Sequence, residues 1–349
     1  MPDEFDMFAA SSDEEEEIAP RKRPLDGVEE PLAKNLRAAD GYQDNEGYYV
    51  ASVGEIIGER YKVLSGLCGK GVFSSVLRGQ NISTGEMVAI KCIRKSDFTR
   101  DAGMKEIEKL KQLHSRDPLG NRPIVRYFGH FDNEGHLCIV CECLKEDLRS
   151  HIKGCGRGGG LDLDVVLGYS RQLVEGLLFL KECGIVHGDI KPDNILVGGL
   201  SSDANDDVSV DHGTIKLCDL GSAKFESELD ASDEMVPRYY RAPEIYLGCK
   251  YSYPIDMWAT MCTIYELCTG RFLFNGPSPS HMLLDLMKLK GKIPNKMLKN
   301  GLHTKLYFNE NLQSLKLLKD TGCPVKPSVN IYDLLNTHNK SLQGNFSTP

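Results

Sequence analysis

Between Ile185 and Val197 a short polar run sits inside apolar flanks: His187 is followed by Asp189, then Lys191, and Asn194 lies five residues beyond the aspartate. A carboxylate there can orient a hydroxyl and accept its proton. An ammonium two residues on can neutralise charge on a transferring phosphoryl group, and an amide oxygen can hold Mg²⁺. This is the equipment of phosphoryl transfer, where a protein supplies positioning and charge neutralisation and little bond-making. A polar turn between two buried strands would carry the same residues, so the run acquires meaning only from its surroundings.

Three other stretches could complete that chemistry. Tyr61 to Val76 reads as strand, glycine turn and strand, and Gly69-Lys70-Gly71 would let backbone amides approach a phosphate closely. Ser74 stands where a third glycine would be expected, and a plain hairpin explains a lone G-x-G equally well. Met87-Val88-Ala89-Ile90-Lys91 is a strand ending in a lysine, costly to bury unless it meets an anion such as a phosphate. The alternative is an edge-strand lysine reaching solvent. Thr214 to Leu217 is a buried strand leading to Cys218-Asp219-Leu220-Gly221, where a carboxylate could ligate Mg²⁺ or simply make a turn.

The elements needed to position these groups are legible as periodicities. Thr99 to Leu113 has a helical stripe of Met104, Ile107, Leu110 and Leu113, with Glu106 beside it as a counter-charge for Lys91. Ile124–Phe131 and His136–Glu142 read as strands leading into Cys143-Leu144, a hinge whose backbone could hydrogen-bond adenine, with Cys141 limiting the pocket's depth. A small buried cysteine is the equal alternative for Cys141. Gly154–Gly160 reads as a flexible connection without a phosphate role. Val166, Tyr169, Leu173, Leu177 and Leu180 then mark a helix that stops near Gly184 and delivers the polar run. Residues 198–213 read as a surface insertion.

Composition excludes several classes. With 41% hydrophobic and 26% charged residues over 349 positions, the chain can bury a substantial core. A net charge of −8 argues against direct nucleic-acid binding. No apolar run is long enough to span a membrane, and the acidic start lacks a secretion-signal pattern. The twelve cysteines are scattered; Cys138 and Cys141 alternate on a strand-like run, a poor geometry for a shared metal, and reduced thiols in a nuclear or cytoplasmic protein are expected. Ser11-Ser12-Asp13 and the glutamates after it repel one another, so residues 1–45 read as a disordered acidic tail; Arg21-Lys22-Arg23 within it is a minimal nuclear-import patch.

Glycine hairpin, Val-Ala-Ile-Lys91, Glu106, His187-Gly188-Asp189, Asp219-Leu-Gly, Arg241-Ala242-Pro243-Glu244 and Asp256-Met257-Trp258 follow one another in the order found in eukaryotic protein kinases. Tyr239-Tyr240-Arg241 ahead of Ala242-Pro243-Glu244 resembles the cyclin-dependent, splicing-factor and dual-specificity group. Asp44-Asn45-Glu46-Gly47-Tyr48-Tyr49 and Lys290-Gly-Lys-Ile-Pro-Asn-Lys-Met297 are similar to the spliceosome-associated pre-mRNA-processing kinase, over roughly residues 43–310. The resemblance implies an α+β, two-lobed kinase fold: an N-lobe of β-strands and one helix at 46–142, and a mainly helical C-lobe at 143–335, with ATP between. It implies Asp189 as proton acceptor, Lys191 at the γ-phosphoryl group, Asn194 and Asp219 as Mg²⁺ ligands, and Lys91 with Glu106 at the phosphates. Gly69, Lys70, Gly71, Val76, Ala89, Lys91, Glu142, Leu144 and Asp219 form the implied nucleotide-contacting set. Implied partners are Ser/Thr protein substrates, spliceosome components among them, acted on by a monomeric kinase domain in the nucleus.

Three departures from the family pattern stand out. Gly188 replaces an arginine that many kinases use to read activation-loop phosphate, and Glu234 falls near the activating tyrosine of tyrosine-regulated relatives. Glu234 is expected to act as a fixed anion for Arg238 or Arg241. After Leu334-Leu335 the last helices of the C-lobe are not found, nor an arginine for Glu244, and 336–349 reads as a disordered tail. The alternative to an active enzyme is therefore a kinase-like scaffold that binds ATP weakly or not at all.

Overall fold

The computed structural model describes residues 43–154, 159–198, 213–233, 235–312, 314–317, 329–331 and 333–335. Nearly all of the acidic tail, most of the expected insertion, Glu234 and the final fourteen positions lie outside the described residues. The chain forms two compact units: the described residues up to Gly103 with Gly129–Val140, and Met104–Phe128 with the described residues from Cys141 onward.

The first unit is built on an antiparallel sheet. Strands β1 (Ile56–Ile57), β2 (Tyr61–Lys70), β3 (Ser74–Asn81) and β4 (Met87–Ile93) are followed by helix α1 (Asp97–Arg116), then β5 (Tyr127–Asn133) and β6 (His136–Glu142). Sheet order is β1-β2-β3-β4-β6-β5. Alternation decides the faces: Leu77, Val88, Ile90 and Cys92 are buried, whereas Val76, Ala89 and Lys91 between them are half-buried. α1 buries Ile107, Leu110 and Leu113 as its stripe requires, but Met104 is 43% exposed and is no part of that face.

The second unit is mainly helical. After β7 (Glu146–Asp147) come α2 (Leu148–Gly154) and α3 (Leu163–Glu182), then β8 (Ile185–Val186), β9 (Ile195–Val197), β10 (Ile215–Leu217) and β11 (Lys224–Phe225). Four α-helices lead on: α4 (Pro243–Tyr246), α5 (Pro254–Thr269), α6 (Pro279–Lys290) and α7 (Asn295–Asn300), followed by the single turn α8 (Thr304–Tyr307). α3 buries Val166, Tyr169, Leu173, Phe179 and Leu180, and Gly184 takes φ 72° just beyond its end, where a left-handed stop favours glycine. Its opposite face leaves Leu163, Leu167, Val174 and Leu178 exposed. The connection expected to be flexible has a fixed end: Gly160 lies against the backbone of Leu267 and Cys268, where any Cβ would clash, and the Leu161 amide donates to Leu267 O at 2.7 Å.

Candidate active site

In the first unit, cross-strand register assembles one row of the predicted residues. Gly69 pairs with Val76 on β2 and β3, and Val76 with Lys91 on β3 and β4. Paired residues share a face and so do residues two apart, so Ala89 joins the row. Gly69 lacks a side chain that would cover the row, which leaves an apolar patch beside an ammonium. Ser74 needs no glycine at its position because it lies within β3, buried and paired with Ile93. Lys70 is placed differently from its neighbours: its Nζ lies 3.1 Å from Glu46 Oε2 and 3.8 Å from Asp44 Oδ2.

In the second unit, β8 and β9 bracket the polar run. The His187 and Gly188 amides donate to Asp256 on α5 at 2.7 and 2.9 Å, so a buried carboxylate satisfies two buried N–H groups. Burial pushes the Asp256 pKa up, while His187 and the two amides hold it down. His187 accepts the Asp189 amide at Nδ1 (3.2 Å) and lies 3.1 Å from Cys218 O through Nε2, an arrangement that assigns the neutral Nε2–H tautomer. Burial lowers the His187 pKa, in agreement with that state. Gly188 has φ 73°, and a Cβ on it would overlap Met235 Cε. The residue expected to be an arginine is thus a glycine whose side-chain space Met235 fills.

Asp189 is held from two sides. Lys191 Nζ lies 3.1 Å from its Oδ1, and Asn194 Nδ2 donates to its Oδ2 at 2.6 Å and to its carbonyl at 2.8 Å. Burial is the largest influence and pushes the Asp189 pKa up to about 6; Lys191 opposes the rise and the Asp219 charge adds to it. Asp219 therefore lies within electrostatic reach, and its strand is tied to the run by the Cys218 amide, which donates to Asn194 O at 3.0 Å. Asp219 takes φ 60°, a left-handed conformation that aspartate tolerates better than most residues.

The donors fit a hard cation. With Nδ2 committed to Asp189, Asn194 keeps Oδ1 as an oxygen donor, and among the described residues no group donates to it. Asp219, next to the Cys218 amide that donates to Asn194 O, carries an exposed carboxylate. Oxygen-only ligation by an amide and a carboxylate suits Mg²⁺.

Glu106 is buried on α1, and the far end of that helix is fastened by Gln112 Nε2 donating to Cys183 O at 2.7 Å. The Glu142 carboxylate accepts from Lys216 Nζ at 2.7 Å and from the Arg126 amide at 2.6 Å, and its own amide donates to Arg126 O at 2.9 Å, so that its side chain and N–H are both engaged in the fold. Glu234 lies outside the described residues; Arg238 Nη1 donates to Pro277 O at 3.0 Å and Arg241 Nε to Val236 O at 2.8 Å.

Two features escaped the sequence. Arg149 donates through Nε to both Asp193 oxygens at 2.9 Å, through Nη1 to buried Glu266 and through Nη2 to Tyr240, fastening the polar run to α2 and α5. Val236, a β-branched residue, has φ 72° and its carbonyl is held by Arg241. No local pattern marks either. The first joins residues far apart in the chain, and the second is a backbone conformation that valine normally avoids.

Comparison with known proteins shows the family. Residues 61–324 match the family model described as protein kinase domain. The chain is 37% identical over 317 residues to the serine/threonine-protein kinase prp4 of Schizosaccharomyces pombe, covering 91% of this chain and 63% of the relative. It is 37% identical over 321 residues to prpf4B of Dictyostelium discoideum, covering 89% and 38%, and 36% identical over 272 residues to the kinase AFC2 of Arabidopsis thaliana, covering 73% and 62%. The chain thus spans less than two thirds of these relatives' lengths.

Proposed function

Because this chain belongs to the protein kinase family, we propose that it is a serine/threonine kinase that uses Mg²⁺ and transfers the γ-phosphate of ATP to protein hydroxyls. One observation carries the reading: a desolvated carboxylate, Asp189, clasped by Lys191 and Asn194 and adjoining Asp219. Asp189 orients the Ser or Thr hydroxyl and takes its proton as the new O–P bond forms and the bond to ADP breaks. Lys191 neutralises charge on the phosphoryl oxygens in flight. Asn194 Oδ1 and Asp219 would hold Mg²⁺, which when bound neutralises the phosphates. Lys91, with Glu106 as counter-charge, engages the α- and β-phosphates, Val76 and Ala89 cover the base, and the main chain of Glu142 and Leu144 reads its edge.

Lys191 two residues after the acceptor resembles the Ser/Thr class. With the Val236 carbonyl taken by Arg241, a substrate amide finds no acceptor there, so a residue without an N–H, proline, is favoured after the acceptor Ser or Thr. The likeness of Asp44–Tyr49 and Lys290–Met297 to the spliceosome-associated kinase supports splicing proteins as substrates and the nucleus as the location.

Phosphotransfer onto Ser/Arg-rich and acidic proteins, with phosphoamino-acid analysis and matched Ser-Pro and Ser-Ala peptides, tests this. Phosphoserine or phosphothreonine and a Ser-Pro preference are expected; phosphotyrosine alone would overturn the assignment. A second reading, a scaffold with weak or no ATP binding, draws on the exposed apolar face of α3. It draws also on Glu244, half-buried and without an ion-pair partner among the described residues, whose pKa burial raises. A Mg²⁺-ATP thermal shift without phosphotransfer would favour that second reading.

A further inference from the structure

The glycine hairpin is braced from outside its own strands. Residues 43–49 form a strap, a compact turn that reaches the hairpin tip through Tyr48. The Glu46 and Tyr48 amides both donate to Asp44 Oδ1 at 2.9 Å, and Gln43 and Tyr49 form an isolated bridge. Tyr49 fixes this turn to the sheet: its hydroxyl donates to Glu55 Oε1 at 2.7 Å and accepts from Asn133 Nδ2 at 3.0 Å. The Lys95 amide donates to Gly47 O at 3.0 Å. From this platform Tyr48 reaches the hairpin tip, where its hydroxyl lies 2.9 Å from Gly71 O and 2.8 Å from Val72 O. Its buried ring lies between cations, with Lys70 Nζ 4.1 Å and Arg94 Cζ 5.6 Å from the centroid.

We infer that Tyr48 is a positioning residue for nucleotide binding: its hydroxyl sets the orientation of two successive peptide planes at the hairpin tip. The inference rests on the nucleotide reading given above. In a planar trans peptide the carbonyl and the following N–H point in opposite directions. Drawing the Gly71 and Val72 carbonyls onto one hydroxyl therefore turns the Val72 and Phe73 N–H groups away from the strap. Among the described residues neither amide donates to a protein acceptor. Two adjacent amides fixed in this way form a concave donor pair suited to a phosphate oxygen. Glu46 and Asp44 meanwhile hold the Lys70 ammonium on the strap side. Lys70 thus ties the tip to residues 44 and 46.

The test compares wild type with Tyr48→Phe, which keeps the ring and its cation contacts and deletes only the hydroxyl. Three quantities are read: KM for ATP, kcat, and the apo melting temperature. The expected result is a rise in the ATP KM of about fivefold, the equivalent of one hydrogen bond, with kcat, the protein-substrate KM and the apo Tm unchanged. Faster amide exchange at Val72 and Phe73 in the apo variant should accompany it. A merely structural tyrosine would lower the Tm and leave the KM alone. An unchanged ATP KM, in a variant as stable as a wild type that binds Mg²⁺-ATP, would overturn the strap. A wild-type chain without any Mg²⁺-ATP thermal shift would overturn the nucleotide reading itself, and this inference with it.

Discussion

The run around Asp189 and the tip of the glycine hairpin are both short segments set between strands, yet they are held in opposite ways. The first is fixed from beneath by buried groups: two amides on Asp256, an imidazole on Cys218 O, and Arg149 on Asp193 and Glu266. The second is exposed and depends on one phenolic hydroxyl and a surface lysine. The difference fits the roles proposed for them. A proton acceptor is best desolvated and immobile, whereas amides proposed to receive a phosphate must remain accessible to it. Stability should accordingly be concentrated at the first segment and ligand affinity at the second.

That contrast can be broken by mutation, beginning with the largest effect. Asp256→Ala leaves two buried amides without an acceptor and should cost about 3–5 kcal/mol in denaturant unfolding; a loss below about 1 kcal/mol would show that the anchor is dispensable. Arg149→Ala strands the buried Glu266 carboxylate with only the Tyr240 hydroxyl, at a cost of about 2–4 kcal/mol. Gly188→Ala imposes a left-handed alanine and displaces Met235, for about 1–2 kcal/mol, part of which Met235→Ala should restore. At the hairpin, Lys70→Gln breaks exposed ion pairs and should move Tm by no more than about 1 °C. A large loss there, matching that at Asp256, would erase the distinction.

Titration sharpens the same comparison. The folded Asp189 carboxyl is raised to about 6, above its unfolded value, so the fold penalises its charged form. The penalty is fully present above pH 6 and disappears as the pH falls towards 4. Asp189→Asn should therefore be more stable than wild type at pH 8, by on the order of 1 kcal/mol, with the gain shrinking in acid. Activity has the opposite need: kcat/KM should fall as the pH drops below about 6 and the acceptor gains its proton. A group that lowers stability while it serves the reaction is expected at a catalytic centre.

Much of this was readable in advance, and the gaps have physical causes. The residues in short order, Asp189, Lys191, Asn194 and Asp219, came from spacing, and β6 occupies His136–Glu142 as its short apolar run indicates. The strand expected at Ile124–Phe131 instead runs Tyr127–Asn133, because Ile124 pairs with Leu217 as an isolated parallel bridge. Met104 fitted the apolar period but lies on the exposed side, since period alone does not say where a buried stripe begins. Asp256 was visible as part of a motif, but its grip on His187 and Gly188 spans 69 and 68 residues and leaves no local trace. Lys70 sits between two glycines, and its ion pairs with Asp44 and Glu46 join segments more than twenty residues apart, so no local pattern marks them.

The central claim is that Asp189 accepts a proton during transfer to a protein hydroxyl. Its most direct measurement is γ-³²P transfer from Mg²⁺-ATP by wild type and by Asp189→Asn, with nucleotide binding followed by thermal shift in both. The account predicts equal ATP-induced stabilisation and a loss of transfer of about a thousandfold or more in the variant. Comparable transfer by the two proteins would contradict it.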